Sequence, residues 1–178
     1  MEKVLSRYSA FCLLILLPLV SFPLQASGWG RVNMQGAVIE TACAIDTESR
    51  DQTIDMFILP LSQIIRDGHG LKREFNIRLI NCVLGRIDKK SPDWQRFQVT
   101  FDGRGDNGLF AVDGPAQGIA LELTDNDGNI AAPGKPLPAI NISEGDSQLN
   151  YSVRLVSNSQ VLRSGEYSSA IRFKIDYY

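Results

Sequence analysis

The feature that most constrains the fold is an alternation of apolar and polar residues that continues to the end of the chain. From residue 171 onward, every second side chain is apolar: Ile171, Phe173, Ile175 and Tyr177. A period of two is typical of a strand with one buried face. Chain termini fray unless another element holds them. We therefore expect a final strand that is held in place up to its last residue, Tyr178.

The first residues have the pattern of a secretory signal peptide. Lys3 and Arg7 precede an apolar run, and the small residue Ala26 follows at a plausible cleavage point. This arrangement predicts a signal peptide over residues 1–26. The remainder, residues 27–178, has about the length of one domain.

The charge balance argues against several classes of partner. The chain carries 18 basic and 20 acidic residues, a formal net charge of −2. Proteins that bind nucleic acid or anionic lipid usually present a basic patch, and the sequence has none. We expect no nucleic acid among its partners.

The cysteines predict a disulfide. Cys12 lies in the predicted signal peptide, which leaves Cys43 and Cys82 as a pair in an exported chain. Such a bond should stabilise the fold by about 3 to 4 kcal/mol. A reactive thiol or a metal site is the alternative, but the only histidine available to assist either is His69, in a glycine-flanked loop.

The rest of the chain is patterned as strands and turns, with no convincing helix. Besides the last strand, the strand candidates are residues 53–59, 75–82, 97–102, 119–124 and 149–156, and an earlier alternation covers Val32, Met34, Gly36 and Val38. Turn signals such as Asn107-Gly108 and Asp127-Gly128 separate them. About seven short strands with this spacing predict an all-β, immunoglobulin-like sandwich.

A final strand at a sheet edge, with its apolar face inward, would leave the groove beside it without a neighbour. Proteins normally cover such edges. A strand from another chain can do so, with backbone hydrogen bonds supplying affinity and alternate side chains filling pockets. The alternating residues 27–36 have the pattern of such a donor strand, so we expect the chain to accept a strand at one end and donate one at the other.

Several motifs together resemble one protein family. Gly165 and the penultimate Tyr177 frame the terminal alternation. Cys82 lies in an Asn-Cys dipeptide after Arg78-Leu79-Ile80, and Gly118 begins a Gly-Ile-Ala-Leu block. This combination resembles the pilus subunits that Gram-negative bacteria assemble through the chaperone–usher pathway. The resemblance covers the whole of the predicted mature chain.

The resemblance implies an incomplete immunoglobulin-like β-sandwich that lacks its seventh strand and is completed by a donor strand in trans. A periplasmic chaperone lends that strand until the extension of a neighbouring pilin subunit replaces it. The implied domains are a donor-strand extension with the start of the first strand over 27–40, and a pilin domain over 41–178. The implied donor positions are Val32, Met34, Gly36 and Val38. The implied groove residues are Gly165, Ile171, Phe173, Ile175, Tyr177 and Tyr178, whose carboxylate would meet basic residues of the chaperone.

Within the family, residues 52–56 and 99–103 and the insertion 85–95 are similar to the terminator or anchor subunit of P-type pili. This implies a structural minor subunit that is exported through the periplasm to a fimbrium at the cell surface. It would terminate assembly and anchor the fibre base at the outer membrane, with the outer-membrane usher as a partner. The alternatives are a chain-propagating pilin or adaptor within the fibre, and a glycan-binding adhesin.

Catalytic and metal motifs are weak, so we expect no enzyme activity, cofactor, metal or small-molecule substrate. His69 lies between two glycines without an element to orient it, and no nucleophile elbow is present. Asp125 and Asp127 lack the spaced glutamate of a calcium loop. The tripeptide Arg104-Gly105-Asp106 spells an integrin-recognition motif, but glycine and aspartate are also ordinary turn residues.

Overall fold

The structure is a computed structural model that describes residues 29–178. The predicted signal peptide, residues 1–26, lies outside the described residues. Residues 38–178 form one compact unit. Residues 29–37 belong to a separate unit, and neither a strand nor a helix is assigned to them. No helix in residues 29–178 is long and apolar enough to cross a membrane.

Ten strands and two short helices make up the larger unit. The helices are α1 (Thr47–Arg50) and α2 (Leu61–Asp67). The strands are β1 (Ala44–Ile45), β2 (Arg73–Cys82), β3 (Arg96–Asp102), β4 (Gly105–Asp106), β5 (Leu109–Ala111), β6 (Ile119–Asp125), β7 (Ile130–Ala131), β8 (Ile140–Asn141), β9 (Gly145–Ser157) and β10 (Arg172–Tyr177).

The strands form two antiparallel sheets. The larger has the order β1-β2-β9-β6-β5-β4, with β7 beside β6, and the smaller has the order β10-β3-β8. Aromatic side chains join the sheets, since the Phe101 ring of β3 lies 4.9 Å from Tyr151 of β9 and 6.4 Å from Phe75 of β2. One apolar core therefore lies between two sheets, as expected for a sandwich.

The predicted disulfide between Cys43 and Cys82 is present. It joins the residue before β1 to the last residue of β2, and these two strands pair in the larger sheet. The bond therefore holds the start of the domain to β2, beside the edge strand of the larger sheet.

The prediction of a strand at residues 53–59 was wrong. In the described part of the chain, this segment pairs with no strand. The Asp55 carboxylate accepts a hydrogen bond from the Phe57 N–H at 2.8 Å, and Phe57 has a φ of 55°, which bulky residues rarely adopt. This local turn kinks the backbone, although Ile54 and Met56 still pack against the core as a strand pattern predicts.

The expectation that the chain contains no helix was also wrong. The α1 helix begins after Asp46, whose carboxylate accepts a hydrogen bond from the Glu48 N–H. The α2 helix follows Pro60 and ends at Gly68, which is in the left-handed conformation and donates its N–H to the Ile64 carbonyl. Both helices are too short for a helical period to stand out in the sequence.

The first strand of the structure is β1, and none is assigned to residues 29–40, where the sequence predicted its start. A donor strand has its partner in another molecule, so the absence of pairing within this chain does not test the donor assignment. That assignment stays a prediction.

The carboxyl end of the chain is held in place, as its strand pattern predicts. An oxygen of the Tyr178 carboxylate accepts hydrogen bonds from the N–H groups of Gln95 and Arg96, at 2.8 and 3.2 Å. The Tyr177 ring lies 5.9 Å from the ring of Trp94 and 6.1 Å from that of Phe97. These contacts lie within the chain itself, and sequence patterning alone did not identify them.

Candidate functional site

One edge of β10 is unpaired. In the smaller sheet β10 pairs only with β3, and no strand in the described part of the chain lies on its other side. Val99 and Phe101 of β3 accept hydrogen bonds from Leu137 and Gly134, on the side of β3 away from β10. The backbone groups of β3 that face β10 are therefore those of its even-numbered residues.

The register then identifies the free backbone groups of β10. Even-numbered residues of β3 lie opposite even-numbered residues of β10, so the backbone groups of these residues hydrogen-bond to each other across the two strands. The N–H and C=O groups of the odd-numbered residues point to the open side. These residues are Phe173, Ile175 and Tyr177, whose side chains pack against the core. This edge can therefore offer backbone hydrogen bonds and apolar side chains to one extended strand.

A groove of about 1300 Å³ lies between β10 and the kinked segment of residues 52–59. One wall is formed by residues 52–59, and the other by residues 163–169 with Ile171 and Phe173. The floor consists of apolar core side chains: Phe75, Phe101, Ile119, Leu121, Leu123, Val153 and Leu155. The groove therefore opens onto the hydrophobic core.

The wall that leads into β10 lies close against the neighbouring chain segment. Gln117 and Arg163 exchange backbone hydrogen bonds, as do Asp113 and Ser168. At Gly165, a Cβ atom would lie 2.7 Å from the Ala116 nitrogen, closer than side-chain atoms approach backbone. Glycine therefore allows this segment to lie against its neighbour and form the wall.

The α2 helix lies at the end of the groove near Arg163. The Gly68 carbonyl, just after α2, accepts a hydrogen bond from the Ser157 N–H of β9. Ser157 in turn lies opposite Ile119 of β6, two residues after Gln117, which pairs with Arg163. The α2 side chains Leu61 and Ile64 line the groove. This helix therefore forms the boundary of the groove at that end.

A second, smaller cleft lies along the other end of β10. It has a volume of about 550 Å³ and lies between residues 39–41 and 174–178, with Trp94 in its wall. Groove and cleft together follow β10 from its amino end to its carboxyl end.

Two tyrosines beside these openings stay neutral. Burial raises the pKa of the Tyr167 phenol, and the nearby Asp55 carboxylate adds to the effect. Burial also raises the pKa of Tyr177. The two phenols therefore add no charge to the groove or to the cleft at neutral pH.

The structure brings the predicted groove residues together along one edge. Gly165, Ile171 and Phe173 line the groove, and Ile175, Tyr177 and Tyr178 line the cleft. The predicted donor side chains of Val32, Met34 and Val38 are exposed. Sequence reasoning missed the role of residues 52–59 as a wall, although the alternation of Ile54 and Met56 was a signal for it.

The other candidate motifs are bound within the fold. Arg104 donates to the Val112 carbonyl and pairs with Asp113. Asp106 accepts a hydrogen bond from Asn158, so the integrin-like tripeptide is held by internal contacts. Asp125 accepts hydrogen bonds from Asp127 and Asn129, as in a turn. Trp94, an aromatic side chain of the kind that a glycan-binding site uses, is 9% exposed and lies beneath the Arg86 guanidinium.

In sequence comparisons, a family model described as fimbrial protein matches residues 32–178. The PRS fimbrial minor pilin protein of Escherichia coli is 36% identical over 150 residues, which cover 83% of this chain and 77% of the relative. The PAP fimbrial minor pilin protein of the same species gives the same identity and coverage.

Comparisons of structure match the same class. The crystal structure of the P pilus rod subunit PapA aligns with a TM-score of 0.69 at 20% identity, over 78% of this chain and 100% of that one. A subunit in a chaperone–usher pilus structure aligns with a TM-score of 0.68 at 24% identity, over 88% of this chain and 100% of that one. These likenesses confirm the predicted all-β fold, an incomplete immunoglobulin-like sandwich.

Proposed function

Because this chain belongs to the fimbrial protein family, and is a structural protein rather than an enzyme, we propose that it is the minor subunit that terminates assembly of a chaperone–usher fimbria. Its position is the fibre base, at the outer-membrane usher. Its partners are a periplasmic chaperone, the usher and the neighbouring pilin subunit.

The observation that carries the proposal is the free edge of β10 beside an open groove. An apolar groove of about 1300 Å³, bordered by unpaired backbone groups, fits one extended strand with alternating apolar side chains. The chaperone fills it during export. Without that strand, the partly buried side chains of Ile171 and Phe173 face water in the groove, and the free edge invites aggregation.

The donor half of the proposal assigns Val32, Met34, Gly36 and Val38 to the groove of the preceding subunit. Three of these side chains are apolar and exposed in the structure, and they alternate with polar or small residues. Gly36 lies at the donor-strand position where the resemblance to pilus subunits implies a small residue.

The terminating role is supported by the α2 helix and the kink at Phe57. An incoming strand must pair with the walls of the groove along its length to displace the chaperone. The wall of residues 52–59 departs from strand geometry at Phe57, and α2 forms the boundary of the groove near Arg163 with Leu61 and Ile64. The identity to two minor pilins supports the assignment as a minor subunit.

A second candidate role is a chain-propagating pilin or adaptor. The volume of the groove favours it, since about 1300 Å³ accommodates a complete donor strand. In that case a further subunit would replace the chaperone, and this chain would lie within the fibre.

Strand exchange distinguishes the two roles. The purified chaperone–subunit complex is mixed with a peptide that copies a pilin amino-terminal extension, and chaperone release is followed by native mass spectrometry. For a terminator we expect the chaperone complex to persist while a major-pilin control exchanges. Release of the chaperone with capture of the peptide would instead identify a propagating pilin or adaptor.

The groove wall also gives a stability prediction. Gly165→Ala places a Cβ within 2.7 Å of the Ala116 nitrogen, so the wall must shift. We expect it to destabilise the chaperone complex by about 1 to 3 kcal/mol, measured by thermal unfolding. Gly85→Ala is the matched control, because its nearest atom lies at 3.7 Å. Equal melting temperatures for the two variants would show that the wall does not need a glycine.

A further inference from the structure

Three exposed apolar residues lie just after the donor arm, where the chain enters the domain. We call this set the arm-root patch: Ile39, Val83 and Ile87. Ile39 is 76% exposed, Val83 59% and Ile87 85%. The Val83 N–H donates to the Ala42 carbonyl at 2.8 Å, and the Ile87 N–H donates to the Glu40 carboxylate at 2.6 Å. These bonds hold the loop after β2 beside the residues that follow the arm.

This loop, residues 85–95, is a fixed part of the domain. The Arg86 guanidinium lies 3.5 Å from the centre of the Trp94 ring, and the Trp94 N–H donates to the Leu84 carbonyl at 2.8 Å. Gln95 donates to the Tyr178 carboxylate. Because both ends of the loop are anchored, its exposed isoleucine is presented at a defined place.

The surroundings of the patch have the composition of an interface. Glu40, Lys89 and Lys90 are exposed around the apolar residues. An apolar centre with a charged rim is typical of surfaces that bind another protein. Ile87 is well placed to contribute binding energy, since its backbone is already ordered and its side chain is free.

We propose that the arm-root patch docks onto the fimbrial subunit that accepts the donor arm. This inference rests on the proposed function, because it requires residues 32–38 to enter that subunit's groove. Ile39 follows directly, and consecutive residues are about 3.8 Å apart. The patch therefore meets the surface of the same subunit beside the mouth of its groove.

The test compares an isolated arm with the whole chain. The acceptor is a fimbrial subunit that captures a synthetic peptide of residues 27–40. The complex of this acceptor with the mature chain should dissociate more slowly in guanidinium than the complex of the same acceptor with the peptide. Ile87→Asp should accelerate dissociation of the two-subunit complex about tenfold, because it removes an apolar side chain from the contact. Ile87→Ser, which adds no charge to the loop, should give a smaller acceleration.

Leu71→Asp is the matched control. Leu71 is 73% exposed and precedes β2, whereas the patch follows the opposite end of that strand. We expect this variant to dissociate at the wild-type rate. Dissociation at the wild-type rate for both Ile87 variants would overturn the docking, while the donor-arm assignment would still stand. Failure of every fimbrial subunit to capture the peptide would contradict the donor assignment and the docking with it.

Discussion

Replacing Phe173 with aspartate is expected to abolish recovery of the complex between this chain and its periplasmic chaperone. The Phe173 side chain lines the groove, 6.2 Å from the Phe101 ring, and its backbone faces the open edge. A complementing strand would bury the new carboxylate without a partner, at a cost of several kcal/mol. The measurement is co-purification of the subunit with an affinity-tagged chaperone from periplasm.

Lys174→Asp provides the matched control for this substitution. Lys174 is the next residue of β10 but is exposed on the outer face of the sheet, so the same new charge stays in water. We expect near-normal recovery of that complex. Normal recovery of the Phe173→Asp complex would show that the groove is not where the chaperone strand binds.

Supplying the missing strand within the same chain is expected to produce the largest gain in stability. A copy of residues 27–40 is attached behind Tyr178 through a short flexible linker, so that it can fold back along β10. Burial of its apolar side chains should raise the free energy of unfolding by about 4 kcal/mol after the cost of ordering the segment. Guanidinium unfolding followed by circular dichroism measures the gain. The strand is present during folding, so no exchange step is needed.

The matched control carries the same extension with its copies of Val32, Met34 and Val38 replaced by serine. It retains the length and the backbone hydrogen-bonding groups but loses the apolar side chains. We expect it to unfold close to the unextended chain. Equal stability of all three proteins would argue that the sandwich is complete without a donor.

The sequence predicted the accepting edge because a strand pattern is local. The alternation from Ile171 to Tyr177 depends only on which side chains face the core, and the structure has the same residues facing it. Gly165 was identified through the resemblance to pilus subunits, and its physical reason is the close approach of Ala116. The disulfide followed from the number of cysteines and the predicted compartment.

The remaining parts of the site depend on contacts that an alternating pattern does not display. The strand pattern at residues 53–59 gave no warning of the kink. There the Asp55 carboxylate accepts a hydrogen bond from Phe57 within the segment, and the Arg73 guanidinium of β2 lies 4.1 Å from the Phe57 ring centre. Likewise, Trp94 lies in a polar stretch of sequence and is buried only because Arg86 and Tyr177 pack against it. Neither arrangement has a period or spacing that a sequence displays.

The most direct test of strand addition is residue-resolved amide hydrogen exchange, measured by NMR on the chaperone–subunit complex. The even-numbered residues of β10 bond to β3, so their N–H groups should be protected and serve as an internal reference. We predict that the N–H groups of Phe173, Ile175 and Tyr177 are protected to a similar degree, because the partner strand accepts their hydrogen bonds. Rapid exchange at these three residues, beside protected even-numbered neighbours, would contradict completion of the sandwich along β10.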